Sequence, residues 1–224
     1  MKQIIARYLE KHSQKQFYYL LASLIIFILL PPFTLNMVFG TLTIYLAASF
    51  VVISCVIILF GEGNKMIAGS GILVVSLAFT WFTLSPALDK LLVIQIIKPG
   101  LLLVLFVATA FKVIGSILKL KKVNAQVIAG SVGAYLLFGL SGAMIFELVN
   151  LFFPASFNYG HHFGGGYDMV YFSFVTLSTL GYGDITPHTP QGQAMAILVS
   201  ITGQLYLAIL MAMLVGKFLK DSDW

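Results

Sequence analysis

The apolar positions of the chain fall into long runs, without the alternation of a half-buried strand. Phe17 to Leu30, Thr41 to Phe60 and Met66 to Leu84 each read as one helix. A longer region, Leu91 to Leu118, contains Lys98-Pro99-Gly100 and is too long for one simple span. Two further runs extend from about Val123 to Phe153 and from Gln191 to about Leu219. A membrane-crossing helix needs about 20 mostly apolar residues, so the pattern predicts six spans. The segment Gly164 to Pro190 lies between the fifth and sixth; within it, the stretch from Tyr171 is helix-compatible up to Ser178 and then breaks.

Composition sharpens this. The chain has 224 residues, 59% hydrophobic and only 9% charged, whereas soluble domains carry about 25% charged residues. So few charges cannot cover a water-facing surface, which excludes soluble enzymes, nucleic-acid modules and disordered chains. The fold class is an all-α membrane protein. No paired buried carboxylates, nucleophile and base, or phosphate loop stand out, so neither an enzyme nor a bound cofactor is expected. Cys55 lies alone in an apolar run and reads as a small buried hydrophobe. Pro31-Pro32-Phe33 follows the first run where a signal peptide would carry a small-x-small cleavage site, so that run reads as a retained span.

The net charge of +5 comes from basic residues spread thinly along the chain, which makes them topology signals and no nucleic-acid patch. With the N-terminus inside, the inner side holds Lys2, Arg7, Lys11, Lys15, Lys65, Lys119, Lys121, Lys122, Lys217 and Lys220. The outer side holds Lys90, with Lys98 near it. This bias predicts a multi-pass protein of the cell membrane with both termini cytoplasmic. The expected organisation is a cytoplasmic N-terminus (1–16), a four-span front half with linker (17–122), a pore domain (123–219) and a short cytoplasmic tail (220–224).

The most informative stretch runs from Tyr171 to Asp184. After Ser178 it becomes Thr179-Leu180-Gly181-Tyr182-Gly183-Asp184, and two glycines at alternate positions make unusual backbone geometry cheap. Non-helical backbone at membrane depth is tolerated where it is buried or lines a water-filled cavity. There, successive carbonyl oxygens can replace the water shell of a cation.

These six residues, placed after a Ser/Thr-rich helix and between two spans, resemble the selectivity filter of tetrameric potassium channels, usually Thr-Val-Gly-Tyr-Gly-Asp. The resemblance covers about Val123 to Leu219. It implies a re-entrant pore helix and a homotetramer, because one chain supplies one filter strand and four surround an ion. It implies K+ held by the carbonyls of Thr179, Leu180, Gly181 and Tyr182 and by the Thr179 hydroxyl, with Gly183 ending the filter. Tyr182 would brace the filter from behind, and Asp184 would accept hydrogen bonds behind the outer mouth. Leu180 departs from the usual Val or Ile. Val175 stands where some relatives carry Glu, and Tyr171 and Phe172 where many carry Trp-Trp. Tyr171 is therefore expected to donate to Asp184, with Glu147 as a further support near the outer end of span five. The resemblance also makes Gly203 a candidate hinge, with Gln204, Leu207, Met211, Val215 and Leu219 as candidate pore lining below it.

Other residues bear on helix packing and control. Gly130/Ala134 and Gly139/Ala143 are small-xxx-small pairs that let helices approach. Thr189 before Pro190 reads as an N-cap. His161, His162 and His188 are candidates for modulation by external pH. Lys112, Ser116 and Lys119 suggest an interfacial amphipathic helix between the fourth and fifth spans. The fourth region offers Lys98 at depth and Lys112 near the inner interface. One charge crossing the whole field gives about 2.3 kcal/mol per 100 mV, hence at most about 9 kcal/mol per tetramer. Steeply voltage-gated channels use three to four charges per subunit.

The sequence thus predicts a potassium-selective channel subunit with weak or no voltage dependence, embedded in a lipid bilayer. The alternatives are a weakly selective cation channel, admitted by Leu180, and a membrane subunit of a transporter that needs a partner. A separate regulatory subunit is a candidate partner, and no nucleic acid is expected.

Overall fold

The structure, a computed structural model, describes residues 2–34, 40–61, 66–82, 91–120, 124–160 and 167–221. Its helices are α1 (Lys2–Thr34), α2 (Gly40–Phe60), α3 (Met66–Phe82), α4 (Leu92–Lys119), α5 (Ala125–Phe152), α6 (Asp168–Leu177) and α7 (Pro190–Asp221). Five segments are long and apolar enough to cross a membrane: Lys15–Thr34, Gly40–Phe60, Leu92–Lys119, Ala125–Phe152 and Pro190–Leu210. The third expected span falls on α3, whose 17 described residues are shorter than the five others.

The fourth region departs from expectation. It runs as one 28-residue helix through Pro99. Proline removes one helical donor, but Pro99 is buried near the start of α4, where the rest of the ladder holds the helix together. At 1.5 Å per residue the helix is about 42 Å long, more than the roughly 30 Å of hydrocarbon. Lys112, Ser116 and Lys119 therefore belong to the far end of α4, and no separate interfacial helix forms there among the described residues.

The start of α5 also differs slightly, at Ala125. Asn124 sets it: its side-chain oxygen accepts from the Val127 N–H at 2.9 Å and caps the helix. Helix α5 is the hub of the fold, because its small residues let neighbours approach on both sides. Phe17 and Ile117 lie against Gly130, and Leu20 against Gly133. Nearer the other end, Phe174 sits on Gly139, while Ser173 and Val199 sit on Gly142.

Two cores result. The larger joins α1, α2, α4 and α5 through Leu20, Leu24, Val51, Cys55, Val113 and Leu137. The smaller gathers Phe146, Phe157, Met169, Phe172, Leu177, Ile185 and Val199 around α6. Its centre is a triangle of Phe146, Phe157 and Phe172 with ring centroids 4.8 to 5.4 Å apart. One element was not anticipated. A short antiparallel ribbon pairs β1 (Phe157–Tyr159) with β2 (Ile185–Pro187), Asn158 opposite Thr186. It ties the C-terminal end of α5 to the chain leaving the 179–184 stretch.

Candidate ion-conduction pathway

Helix α6 is ten residues long and ends at the predicted filter. Asp168 lies in its first turn and its carbonyls face the other way, so the dipole presents its negative end to residues 178–183. The helix ends in a Schellman-type turn. The Thr179 N–H donates to the Thr176 carbonyl at 3.0 Å, and the Leu180 N–H to Val175 at 3.0 Å. The Gly181 N–H also reaches the Val175 carbonyl, at 3.3 Å.

The backbone beyond this turn alternates in hand. Thr179, Gly181 and Gly183 have φ of 59°, 58° and 80°, while Leu180 and Tyr182 stay on the ordinary side. In a strand of one hand, successive carbonyls point to opposite sides. Alternating the hand turns them towards one side, which suits a row of oxygens facing an ion. Glycine takes two of the three left-handed positions at no steric penalty. Thr179 takes the third, and a β-branched residue there is strained. Glycine would avoid that strain, and what threonine adds there is a hydroxyl and a methyl group.

At the C-terminal end of this stretch, the Tyr171 hydroxyl donates to Asp184 Oδ2 at 2.5 Å, and the Ile185 N–H to Oδ1 at 3.1 Å. The Asp184 carbonyl accepts from the Gly160 N–H at 2.8 Å. The Tyr171 hydrogen bond holds the Asp184 carboxyl below its ordinary value of 3.8. The same bond, then burial, pushes the Tyr171 hydroxyl up to about 12. The signs define a window. A lowered carboxylate contributes fully above its ordinary value and is lost as pH falls through the lowered one. A raised phenol contributes fully below 10 and is lost as pH climbs through about 12. Conduction limited by this clasp is thus expected to be flat from about pH 5 to about pH 9. Tyr171→Phe should move the acid limit of conduction upward, towards the ordinary carboxylate value, in a pH titration of flux. An unmoved acid limit would show that the clasp does not control the filter.

The other predicted residues are distributed as follows. Val175 is buried, and Glu147 is half-buried on α5. Gly203 is buried where α7 passes α6, and its missing side chain leaves room for the Leu177 carbonyl. Helix α7 runs unbroken through it, and the feature seen there is a close approach. Gln204 and Leu207 are exposed on the single chain. Met211, Val215 and Leu219 continue the same helix, but their side chains lie outside the described residues, as do His161 and His162. His188 is exposed, and its backbone N–H donates to the Ser156 carbonyl at 2.7 Å. Thr189 caps α7, its hydroxyl oxygen accepting from the Gly192 N–H at 3.2 Å.

Sequence reasoning missed three polar ties around this region. Ser156 and Thr189 share a hydroxyl hydrogen bond of 2.9 Å. The Tyr206 hydroxyl donates to the Ser131 carbonyl at 2.7 Å, joining α7 to α5. The Tyr167 hydroxyl donates to the Ile28 carbonyl on α1. Their only sequence signals are the hydroxyls themselves and, for the last, Pro32, which leaves the Ile28 carbonyl without its helical donor.

A profile of the family described as Ion channel matches residues 133–220, from within α5 to the end of α7. Over this region the chain is similar to the ion channel family. The chain is 31% identical over 86 residues to rat potassium voltage-gated channel subfamily A member 5, covering 38% of this chain and 14% of that one. It is 42% identical over 48 residues to the putative potassium channel protein YugO of Bacillus subtilis, covering 21% and 15%. A third relative is potassium channel K1 of Plasmodium berghei, 49% identical over 35 residues, 16% of this chain and 2% of that one. The matches thus span a small part of the relatives' length. No solved structure matches the chain.

Proposed function

We propose that the chain is the subunit of a homotetrameric potassium-selective channel that conducts passively and in single file. The observation that carries this reading is the alternating hand of Thr179, Gly181 and Gly183 at the carbonyl end of α6. That geometry suits dehydrated K+ between carbonyls of Thr179 to Tyr182, with the Thr179 hydroxyl completing the innermost site. The names of the relatives agree with it.

Exposure supports a tetramer. Residues 178–183 are all exposed on the single chain, Tyr182 at 67%. A filter side chain meant to brace from behind then needs a neighbouring subunit to cover it. Helix α7 also presents Ile197, Leu198, Ile201, Leu205 and Ile209 outward. With the N-terminus cytoplasmic and α3 as the sixth span, residues 154–160 and 167–189 lie on the outer side. Potassium and sodium gradients across liposomes carrying the purified protein test the reading. Potassium-driven flux alone is expected, equal flux of both ions would mean a weakly selective cation channel, and no flux would favour a transporter subunit.

Weak voltage dependence is part of the proposal. Lys112 donates from Nζ to the Leu59 carbonyl at 3.4 Å, at the C-terminal end of α2. A cation there complements the negative end of that helix, so Lys112 acts as an anchor and not as a charge free to cross the field. Even if one lysine per subunit crossed it fully, conductance could rise no more than tenfold per about 15 mV. A shallow conductance–voltage curve between about −100 and +100 mV is expected, and a steeper rise than that limit would sink the proposal.

A further inference from the structure

Helix α1 carries Pro31 and Pro32 inside its last turns. In an α-helix the N–H of each residue pairs with the carbonyl four residues earlier. Proline has no N–H. Pro32 therefore removes the helical partner of the Ile28 carbonyl, within a segment apolar enough to lie in lipid. Backbone groups at that depth must be satisfied from within the protein. The donor that arrives is the phenol of Tyr167, 139 residues further along the chain.

Tyr167 is the residue that precedes α6, and its side chain makes no hydrogen bond to cap that helix. It packs with Phe27 and Ile28 against the larger core. Helix α6 is held by three hydroxyls aimed in three directions. Tyr167 reaches α1, Ser173 donates to the Gly139 carbonyl of α5 at 2.6 Å, and Tyr171 donates to Asp184 beyond the filter. At about 1.5 Å per residue, ten residues make a rod near 15 Å long, so a displaced start displaces the filter end.

We infer that the Ile28 carbonyl, opened by Pro32, and the Tyr167 hydroxyl form a tie between the front half and the start of α6. Tyr167 is thus a positioning residue for the filter. The inference rests on reading residues 179–183 as a potassium filter. It gives the charge-poor front half a task that needs no gating charge, namely fixing the outer end of the pore helix from α1.

The two halves of the tie can be separated with Tyr167→Phe, Pro32→Ala and the double variant of the full-length protein. Melting is followed in sodium alone, and K+/Na+ permeability ratios are taken from reversal potentials in liposome-fused bilayers. Tyr167→Phe leaves the Ile28 carbonyl unpaired, so melting should fall by roughly 2–4 °C. The Pro32→Ala substitution restores a backbone N–H to that carbonyl, so the double variant should recover most of this loss. The filter should not recover, because the tie itself is still missing. Its permeability ratio should stay roughly fivefold low, as in Tyr167→Phe, the factor one ordinary hydrogen bond represents. Pro32→Ala alone keeps the phenol and should keep the ratio.

A melting loss that Pro32→Ala does not relieve would overturn the assignment of the carbonyl. A melting loss with an unchanged permeability ratio would reduce Tyr167 to a structural anchor and overturn its positioning role. Wild-type protein without potassium selectivity would instead remove the filter reading, while the melting comparison still decides whether the tie exists.

Discussion

Gly181→Ala is expected to abolish potassium-selective conduction, lowering K+ flux at least about 100-fold. The reason is handedness and not space. Gly181 has φ of 58°, and a Cβ built there meets no atom within 4 Å. An L-residue held at this angle costs roughly 1–2 kcal/mol, hence about 4–8 kcal/mol over four subunits. That exceeds the roughly 2.7 kcal/mol that a 100-fold change represents. The strain is relieved when the peptide between Leu180 and Gly181 rotates, which takes the Leu180 carbonyl out of the row. Leu180→Val provides the control, since that position has ordinary φ and tolerates any L side chain. It should conduct nearly as well as wild type. Rubidium uptake into liposomes measures both. If Gly181→Ala conducts like wild type, the alternating backbone is not the ion path.

Gly203→Ala should produce the second large effect, by a different route. A Cβ at Gly203 would overlap the Leu177 carbonyl of α6, with the Leu177 Cδ1 3.0 Å away. The main obstacle is backbone, which cannot rotate aside like a side-chain end. Helix α7 must move off α6, or α6 must shift together with the filter turn that follows it. Overpacking of this kind costs typically about 1–3 kcal/mol per site, so melting should fall by roughly 3–10 °C. Gly216 lies on the same helix with nothing within 4 Å of an added Cβ, and Gly216→Ala should melt like wild type. A hinge role predicts the opposite for Gly203→Ala, namely unchanged melting with altered opening. Thermal unfolding of the two variants decides between them.

Much of the site was readable because its signals are local. Two glycines at alternate positions after a helix-compatible stretch announce alternate backbone hands, and Thr189 before Pro190 announces a helix start. Five of the six expected spans were readable because long apolar runs have few other destinations. What escaped notice depends on contacts far apart in sequence. The β1–β2 ribbon joins three-residue segments too short for any periodicity. The tie from Tyr167 to Ile28 needs the fold to bring α1 beside α6, although Pro32 already marks an unpaired carbonyl. The fourth region, expected to be too long for one simple span, continues through Pro99 as one helix. In water a mid-sequence proline is a strong helix breaker, but in an apolar span the remaining ladder has no solvent to exchange with, and α4 continues. The Asn124 cap was within reach of the sequence, since an Asn directly before a small apolar run is a standard start signal.

The central claim is that four copies of residues 179–183 form one potassium-selective path. It is tested most directly by the reversal potential of the purified wild-type channel in a planar bilayer, with potassium and sodium gradients opposed. The account predicts a reversal that follows potassium, moving by about 59 mV for each tenfold change in its gradient. A reversal near zero, where both ions carry current equally, would contradict it.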